Sequence, residues 1–296
     1  MIKTKKNIKN VIAFLVGFSV LILVGLYLFS GDKTSIANFN LAIDNIVKSS
    51  NKNILICAHR AFHENAPENS LKSIQDAIDA NVDIAEVDVR MTKDEVLVLM
   101  HDDKIDRTTT GRGYIKDYTF KELQQFNLKV KDSITSHKIP RLSEILKLAK
   151  GKIILNLDLK EIIPLDYYDL LKENKMEDEV ISFIWNKKTL NEIIEIDSLY
   201  AVLPLSENKD EMESNYKSYY SPIQHFTEKS YTQENMNWAH KNGVKVFVNS
   251  LWKQDVDLIN GNTKSLDSLL LLKPAIIQTD YPKQMLNYLK EKGLHD

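Results

Sequence analysis

From residue 54 to residue 280 the chain alternates short apolar runs with amphipathic helical stretches. The runs are ILICA (54–58), VDIAEVD (82–88), KIILNLD (152–158), EVISFI (179–184), LYAVLPL (199–205), PIQHF (222–226), VKVFVN (244–249) and AIIQTD (275–280). Between most of them lie helix-like stretches such as SLKSIQDAIDAN, LSEILKLAKG and KTLNEIIEID. Strands joined through helices pair in parallel, because the crossover helix returns the chain to the starting end of the sheet. Eight such units in about 240 residues fit a (β/α)8, or TIM, barrel. The alternative is an open doubly wound sheet, which carries a glycine-rich first turn; none follows residues 54–58.

One run, VLVLMH (96–101), breaks the alternation. It follows the second strand too closely for a crossover, so a hairpin is expected. A turn at Asp94–Glu95 places His101 opposite Asp88, on the same face. A register shifted by one residue points Met100 there instead.

Side-chain parity then picks out polar positions inside apolar runs. Glu86 and Asp88 are two apart on a strand and share a face, while Ala85, Val87 and Val89 share the other. Two carboxylates held that close repel unless one is protonated or a cation lies between them. Oxygen ligands favour Mg²⁺ or Ca²⁺. A solvated strand edge is the simpler alternative. In the third run Asn156, Asp158 and Lys160 share a face. Asp158 suits a third metal carboxylate and Lys160 an anion contact; a plain Asp–Lys ion pair accounts for them equally well. His59 and Arg60 end the first strand, where a guanidinium binds phosphate oxygens and an imidazole moves a proton. Asn69 or Ser70 is placed to cap the following helix.

The N-terminus is of another kind. Residues 11–29 form an uncharged, proline-free apolar run, preceded by Lys3, Lys5, Lys6 and Lys9. As a helix it spans about 28 Å, close to the thickness of a bilayer. An uncleaved transmembrane signal anchor is expected, with residues 1–10 as a cytoplasmic basic tail, 30–52 as a stalk and 53–296 as the catalytic domain. The basic flank orients that domain outside the cytoplasm, at the cell surface or in the periplasm; cleavage of the segment would secrete it. A net charge of −2 argues against a broad basic surface for nucleic acid. Cys57 is the single cysteine, so an intrachain disulfide is excluded.

The span AHRAFHENAPENSLKSIQDAIDANVDIAEVDVRMTKDEVLVLMHDDKIDRTTTGRG, followed by IPRLSEIL, NLDLK and QTDYP, resembles the glycerophosphodiester phosphodiesterase family. That pattern runs HRG, PEN[TS], E-x-D-V, T-x-D-G, HD and RTT-x-G. The resemblance implies a TIM barrel with a small insertion after the second histidine, here about residues 102–140. It implies metal-dependent hydrolysis of a small-molecule phosphodiester to glycerol 3-phosphate and an alcohol, with a lysophospholipid or other lipid head group, or an inactive binding module, as alternatives. By position His59 and His101 resemble the acid–base pair, and Glu86, Asp88 and Asp158 the ligands of Mg²⁺ or Ca²⁺. Arg60 and Lys160 match the phosphate contacts, and Glu68, Asn69 and Asn249 border the substrate. The implied partners are that substrate and, through the anchor, the membrane, with no obligate protein partner evident. Ala61 and Glu95 stand where the family has glycine, Asp158 where a glutamate is common, and VFVNS lacks the tryptophan of W-T-x-N.

Overall fold

The computed structural model describes residues 53–296, apart from 161 and 220, together with Asp44, Ile46, Lys48 and Ser49. These lie within the compact unit Asn40–Asp296. The expected anchor at 11–29, the basic tail and most of the stalk fall outside the described residues. Among the described residues no helix is long and apolar enough to cross a membrane.

Eight parallel strands form the framework: β1 (Leu55–Ala58), β2 (Ile84–Met91), β6 (Ile154–Leu159), β7 (Val180–Ile184), β8 (Leu205–Ser206), β9 (Ile223–Phe226), β10 (Lys245–Asn249) and β11 (Ile276–Thr279). Their spatial order is β7-β6-β2-β1-β11-β10-β9-β8. The ends of this row approach closure at Ser182, which bridges Val202 in parallel and accepts a hydrogen bond from the Leu203 amide at 2.8 Å. β8 is short because Pro204 interrupts it: proline has no amide hydrogen for the ladder. Its carbonyl still accepts from His225 N at 2.9 Å. The result is a nearly closed TIM barrel, as the alternation predicts, with each of the eight apolar runs contributing a strand.

Parity divides the wall as expected. Ala85, Val87, Val89, Leu155, Leu157 and Leu159 join the continuous core between the barrel and its helices. Those helices include α1 (Leu71–Asp79) and α3 (Leu142–Ala149). Ser70 is the N-cap of α1, its side chain accepting from Ser73 N in a capping box.

The extra run forms β3 (Leu97–Leu99), antiparallel to β2. Its register corrects the expected one: Val89 faces Leu99 and Arg90 faces Val98, and the Met100 amide donates to the Asp88 carbonyl at 3.1 Å. Thr92 therefore faces Val96 across a three-residue turn, with the Thr92 amide donating to Val96 O at 3.0 Å. Glu95, at φ 62°, takes the left-handed position that such turns require. Met100 packs away from the barrel mouth, with Val98, Ile105, Leu128 and Ile139, in a small second core. That core belongs to the segment holding α2 (Phe120–Leu123), β4 (Lys129–Val130) and β5 (Ser133–Ile134).

Candidate active site

β2 and β6 carry the acidic centre. Their register pairs Glu86 with Asn156 and Asp88 with Asp158, so two inward carboxylates share one level near the C-terminal rim and Glu86 lies one inward position before them. One oxygen from each of Glu86, Asp88 and Asp158 lies within 4.8 Å of the others. Glu86 and Asp88 are buried. Burial, followed by the charges of Asp88 and Asp158, holds the Glu86 carboxyl well above the usual carboxylate range. Burial also pushes Asp88 upward, but Lys160, His101 and the Asn69 amide together bring it below its ordinary value. Lys160 Nζ lies 3.0 Å from Asp88 Oδ1 and also bonds Asp158. Burial leaves Asp158 raised in spite of that lysine.

Asp158 Oδ1 and Asn156 Oδ1 are buried without a hydrogen-bond partner. Orphaned acceptors beside crowded carboxylates are what a cation would satisfy. An all-oxygen set fits Mg²⁺ or Ca²⁺. The donor set therefore fits the implied metal.

The loop from β1 to α1 wraps this centre. Arg60, Ala61 and Asn69 all have positive φ, at 52°, 62° and 54°. The turn lets Arg60 N donate to Glu86 Oε2 at 2.7 Å and Ala61 N to the Glu86 carbonyl at 2.8 Å. Asn69 clips Asp88 twice: its Nδ2 donates to Asp88 Oδ2 at 2.8 Å, and its Oδ1 accepts from Asp88 N at 2.9 Å. His59, at the end of β1, donates from Nδ1 to Asp280 Oδ1 at 2.7 Å. Asp280 follows β11, and its amide donates to the buried Asp255 carboxylate at 2.7 Å.

His101 reaches the same cavity by leaving the strand rather than by pairing with Asp88. Arg90 holds its carbonyl through Nε and Nη2, at 2.9 and 2.8 Å. His101 Nδ1 donates to Asp102 Oδ1 at 2.7 Å. Arg107 then joins two parts of the rim. It donates to both oxygens of Asp102, at 2.8 and 3.0 Å, and to both oxygens of Glu68, at 2.7 and 2.8 Å. Glu68 in turn accepts from Arg60 Nη1 at 2.9 Å. The guanidinium of Arg107 holds the Asp102 carboxyl far below its usual range.

These groups face a cavity of about 360 Å³. Of the residues singled out from the sequence, His59, Arg60, Glu86, Asp88, His101, Asp158, Lys160 and Asn249 line it. Glu68 and Asn69 stand behind the wall and act on Arg60, Arg107 and Asp88. Asn249 Oδ1 is buried and unpartnered. His225 packs between Phe183 and Phe247, and burial lowers it to about 4, so it is neutral at pH 7. Cys57 is fully buried and its thiol is pushed well up by burial, which makes it a core residue rather than a nucleophile. Sequence reasoning missed Asp102, Asp280, Asp255 and Arg107. The first follows His101 directly and the second lies in QTDYP, so both were in view without a partner assigned. Asp255 and Arg107 reach their partners only through the fold.

The family model for the glycerophosphoryl diester phosphodiesterase family matches residues 59–282. A glycerophosphodiester phosphodiesterase of Caldanaerobacter subterraneus is 28% identical over 260 residues, covering 81% of this chain and 99% of that protein. The fold matches a glycerophosphoryl diester phosphodiesterase of Parabacteroides distasonis with a TM-score of 0.75 at 25% identity, over 84% of this chain and 92% of that one. It also matches an Oleispira antarctica phosphodiesterase solved with its product sn-glycerol 3-phosphate, with a TM-score of 0.67 at 20% identity, over 82% and 99%. With a family match running from the first histidine of the mouth to the proline beyond Asp280, the chain belongs to the glycerophosphodiester phosphodiesterase family and is a phosphoric diester hydrolase.

Proposed function

We propose that the chain hydrolyses glycerophosphodiesters to glycerol 3-phosphate and an alcohol, with His59 and His101 exchanging the protons and Glu86, Asp88 and Asp158 holding Mg²⁺ or Ca²⁺. The observation that carries this reading is the pair of histidine–carboxylate contacts facing one cavity with the carboxylate trio. In each pair Nδ1 is committed to an aspartate, which sets the tautomer and leaves Nε2 for the cavity. A cation held by Glu86, Asp88 and Asp158 would supply Lewis-acid polarisation of the phosphate. Lys160 and Arg60 place positive charge where the phosphate charge grows in the transition state.

His59 is the base in this reading. Among the described residues Asp280 bonds no arginine, so its charge is left to stabilise the imidazolium that forms when His59 takes a proton from the nucleophile. Asp102, clamped by Arg107, fixes His101 through Nδ1 and so aims Nε2 into the cavity, where His101 protonates the leaving alkoxide in this reading. Trapping of a cyclic glycerol phosphate distinguishes a neighbouring substrate hydroxyl from water as the nucleophile. His59→Ala and His101→Ala should each lower kcat on glycerophosphocholine by about 10²–10⁴. Near-normal metal-dependent turnover in either variant sinks the proposal.

The same reading places the domain outside the cytoplasm on an anchor at residues 11–29. The supports are the uncharged run and the basic residues before it. The full chain should stay in the membrane fraction after an alkaline wash, with the domain open to external protease. Recovery in the soluble fraction at full length refutes the anchor.

A further inference from the structure

Asp255 is a buried ionisable group that the proposed reaction does not use. It lies in the helix Lys253–Ile259 that follows β10, is 1% exposed and stays outside the lining of the catalytic cavity. Among the described residues its partners are neutral donors. Ser250 Oγ and Thr279 Oγ1 donate to its Oδ1 at 2.7 and 2.8 Å, and the Asp280 amide donates to its Oδ2 at 2.7 Å. Burial leaves the carboxyl raised in spite of these donors, and the charge of Asp280 adds to the effect. Apolar side chains fill such a position at less cost, so stability alone is a poor reason for a carboxylate there.

Its three donors come from two turns at the barrel rim. Ser250 follows β10, and Thr279 and Asp280 end and follow β11. The two turns also meet through the Ser250 amide, which donates to Gln278 O at 2.9 Å, while the Asp255 amide donates to Ser250 O at 2.9 Å. The β1–β11 register ends at Ala58 and Thr279. Asp280 lies one residue beyond that ladder, so its backbone is fixed by Asp255 where the neighbouring strand no longer reaches. From there its Oδ1 accepts from His59 Nδ1 at 2.7 Å. The Asp280 side chain is 34% exposed, so packing leaves it room to turn toward water once its backbone shifts.

We infer that Asp255 is a positioning residue: through the Asp280 amide it holds the Asp280 carboxylate on Nδ1 of His59, and so aims Nε2 of His59 at the reacting atoms. This rests on the base role proposed for His59.

The test is a double-mutant cycle between positions 255 and 280, assayed on glycerophosphocholine under saturating metal. Asp255→Ala removes the acceptor of the Asp280 amide. It should lower kcat by about 10- to 100-fold, the cost of a misplaced catalytic group, and change KM little. In an Asp280→Ala background the same substitution should cost little, because the group it positions is gone. Asp255→Asn should recover most of the lost kcat. Its carboxamide oxygen accepts from the Asp280 amide, and its NH2 meets the Ser250 and Thr279 hydroxyls, which rotate to accept. Asp255→Ser carries the same cycle where Asp255→Ala does not fold. An equal loss in both backgrounds overturns the inference, as does a wild-type kcat in Asp255→Ala or an Asp255→Asn variant as impaired as Asp255→Ala. If His59→Ala and Asp280→Ala both turn over normally, the acid–base reading fails by itself. The ring signals of ¹⁵N-histidine-labelled protein then decide the positioning. The Nδ1–H signal of His59, identified by its absence from His59→Ala, should shift in Asp255→Ala and return in Asp255→Asn; a signal unmoved in Asp255→Ala overturns the inference.

Discussion

Ala61 shows how one side chain can be out of place and still tolerated. It sits at φ 62°, fully buried, where its amide must meet the Glu86 carbonyl. An L-residue in that conformation costs about 1–2 kcal/mol, part of which glycine returns through its more flexible unfolded state. Ala61→Gly should stabilise the domain by about 1 kcal/mol, a rise in Tm of about 2–4 °C by calorimetry. Glu95→Gly, at the turn between β2 and β3, should act in the same direction. Arg107 is the opposite case, a residue whose value lies in its partners. It positions His101 through Asp102 and Arg60 through Glu68, without lining the cavity itself. Arg107→Ala should lower kcat about tenfold with a small change in KM and move one limb of the pH–rate profile. Lysine should restore little, because an ammonium cannot bridge two carboxylates as a planar fork does. A variant that loses stability but keeps the wild-type pH profile refutes positioning.

At the scale of the element, β2 and β6 place three carboxylates together at a cost in stability that a cation held there would relieve. Glu86 is raised well above 4.5 by burial and by its acidic neighbours. Its protonated form therefore favours the folded state below about pH 4.5, and that contribution is lost as pH rises through the folded-state value. Above about pH 5 Asp88, whose folded value is lowered, is ionised in both states and adds no slope. Chelated protein should thus lose thermal stability as pH rises from the ordinary glutamate range through the raised folded-state value of Glu86. Saturating Mg²⁺ or Ca²⁺ should remove most of that slope and add about 2.7 kcal/mol at a hundredfold excess over Kd. Glu86→Gln should melt higher than the chelated wild type at pH 8 and gain nothing from metal. Strand parity was enough to see Glu86 with Asp88 and Asp158 with Lys160, because period two is a local property of extended backbone. The hairpin register was not legible. Two- and three-residue turns differ by one position, and the three-residue turn requires a left-handed residue that Glu95 does not advertise.

For the whole molecule, the eight strands do not close uniformly. β2 and β6 pair over six residues, whereas Ser182 and Val202 form a single bridge beside Pro204. Cooperative opening should begin at that seam. Native-state hydrogen exchange should release the Ser182 and Leu203 amides well before those of β2 and β6; equal protection would contradict it. Trp185 follows β7, at this side of the mouth, and lines the catalytic cavity, so opening there would also loosen the cavity wall.

The sequence alone determined the barrel and most of the cavity's polar lining. Alternating periodicity, strand parity and a family pattern are all recorded within short stretches of chain. Only the tertiary structure decided how those residues are held. Asp280 reaches His59 across 221 positions, and Arg107 reaches Glu68 across 39. Asp255 reaches Thr279 and Asp280 because turns after different strands converge at one rim. Such contacts depend on barrel closure and on a register set by one turn residue, and no local pattern encodes either.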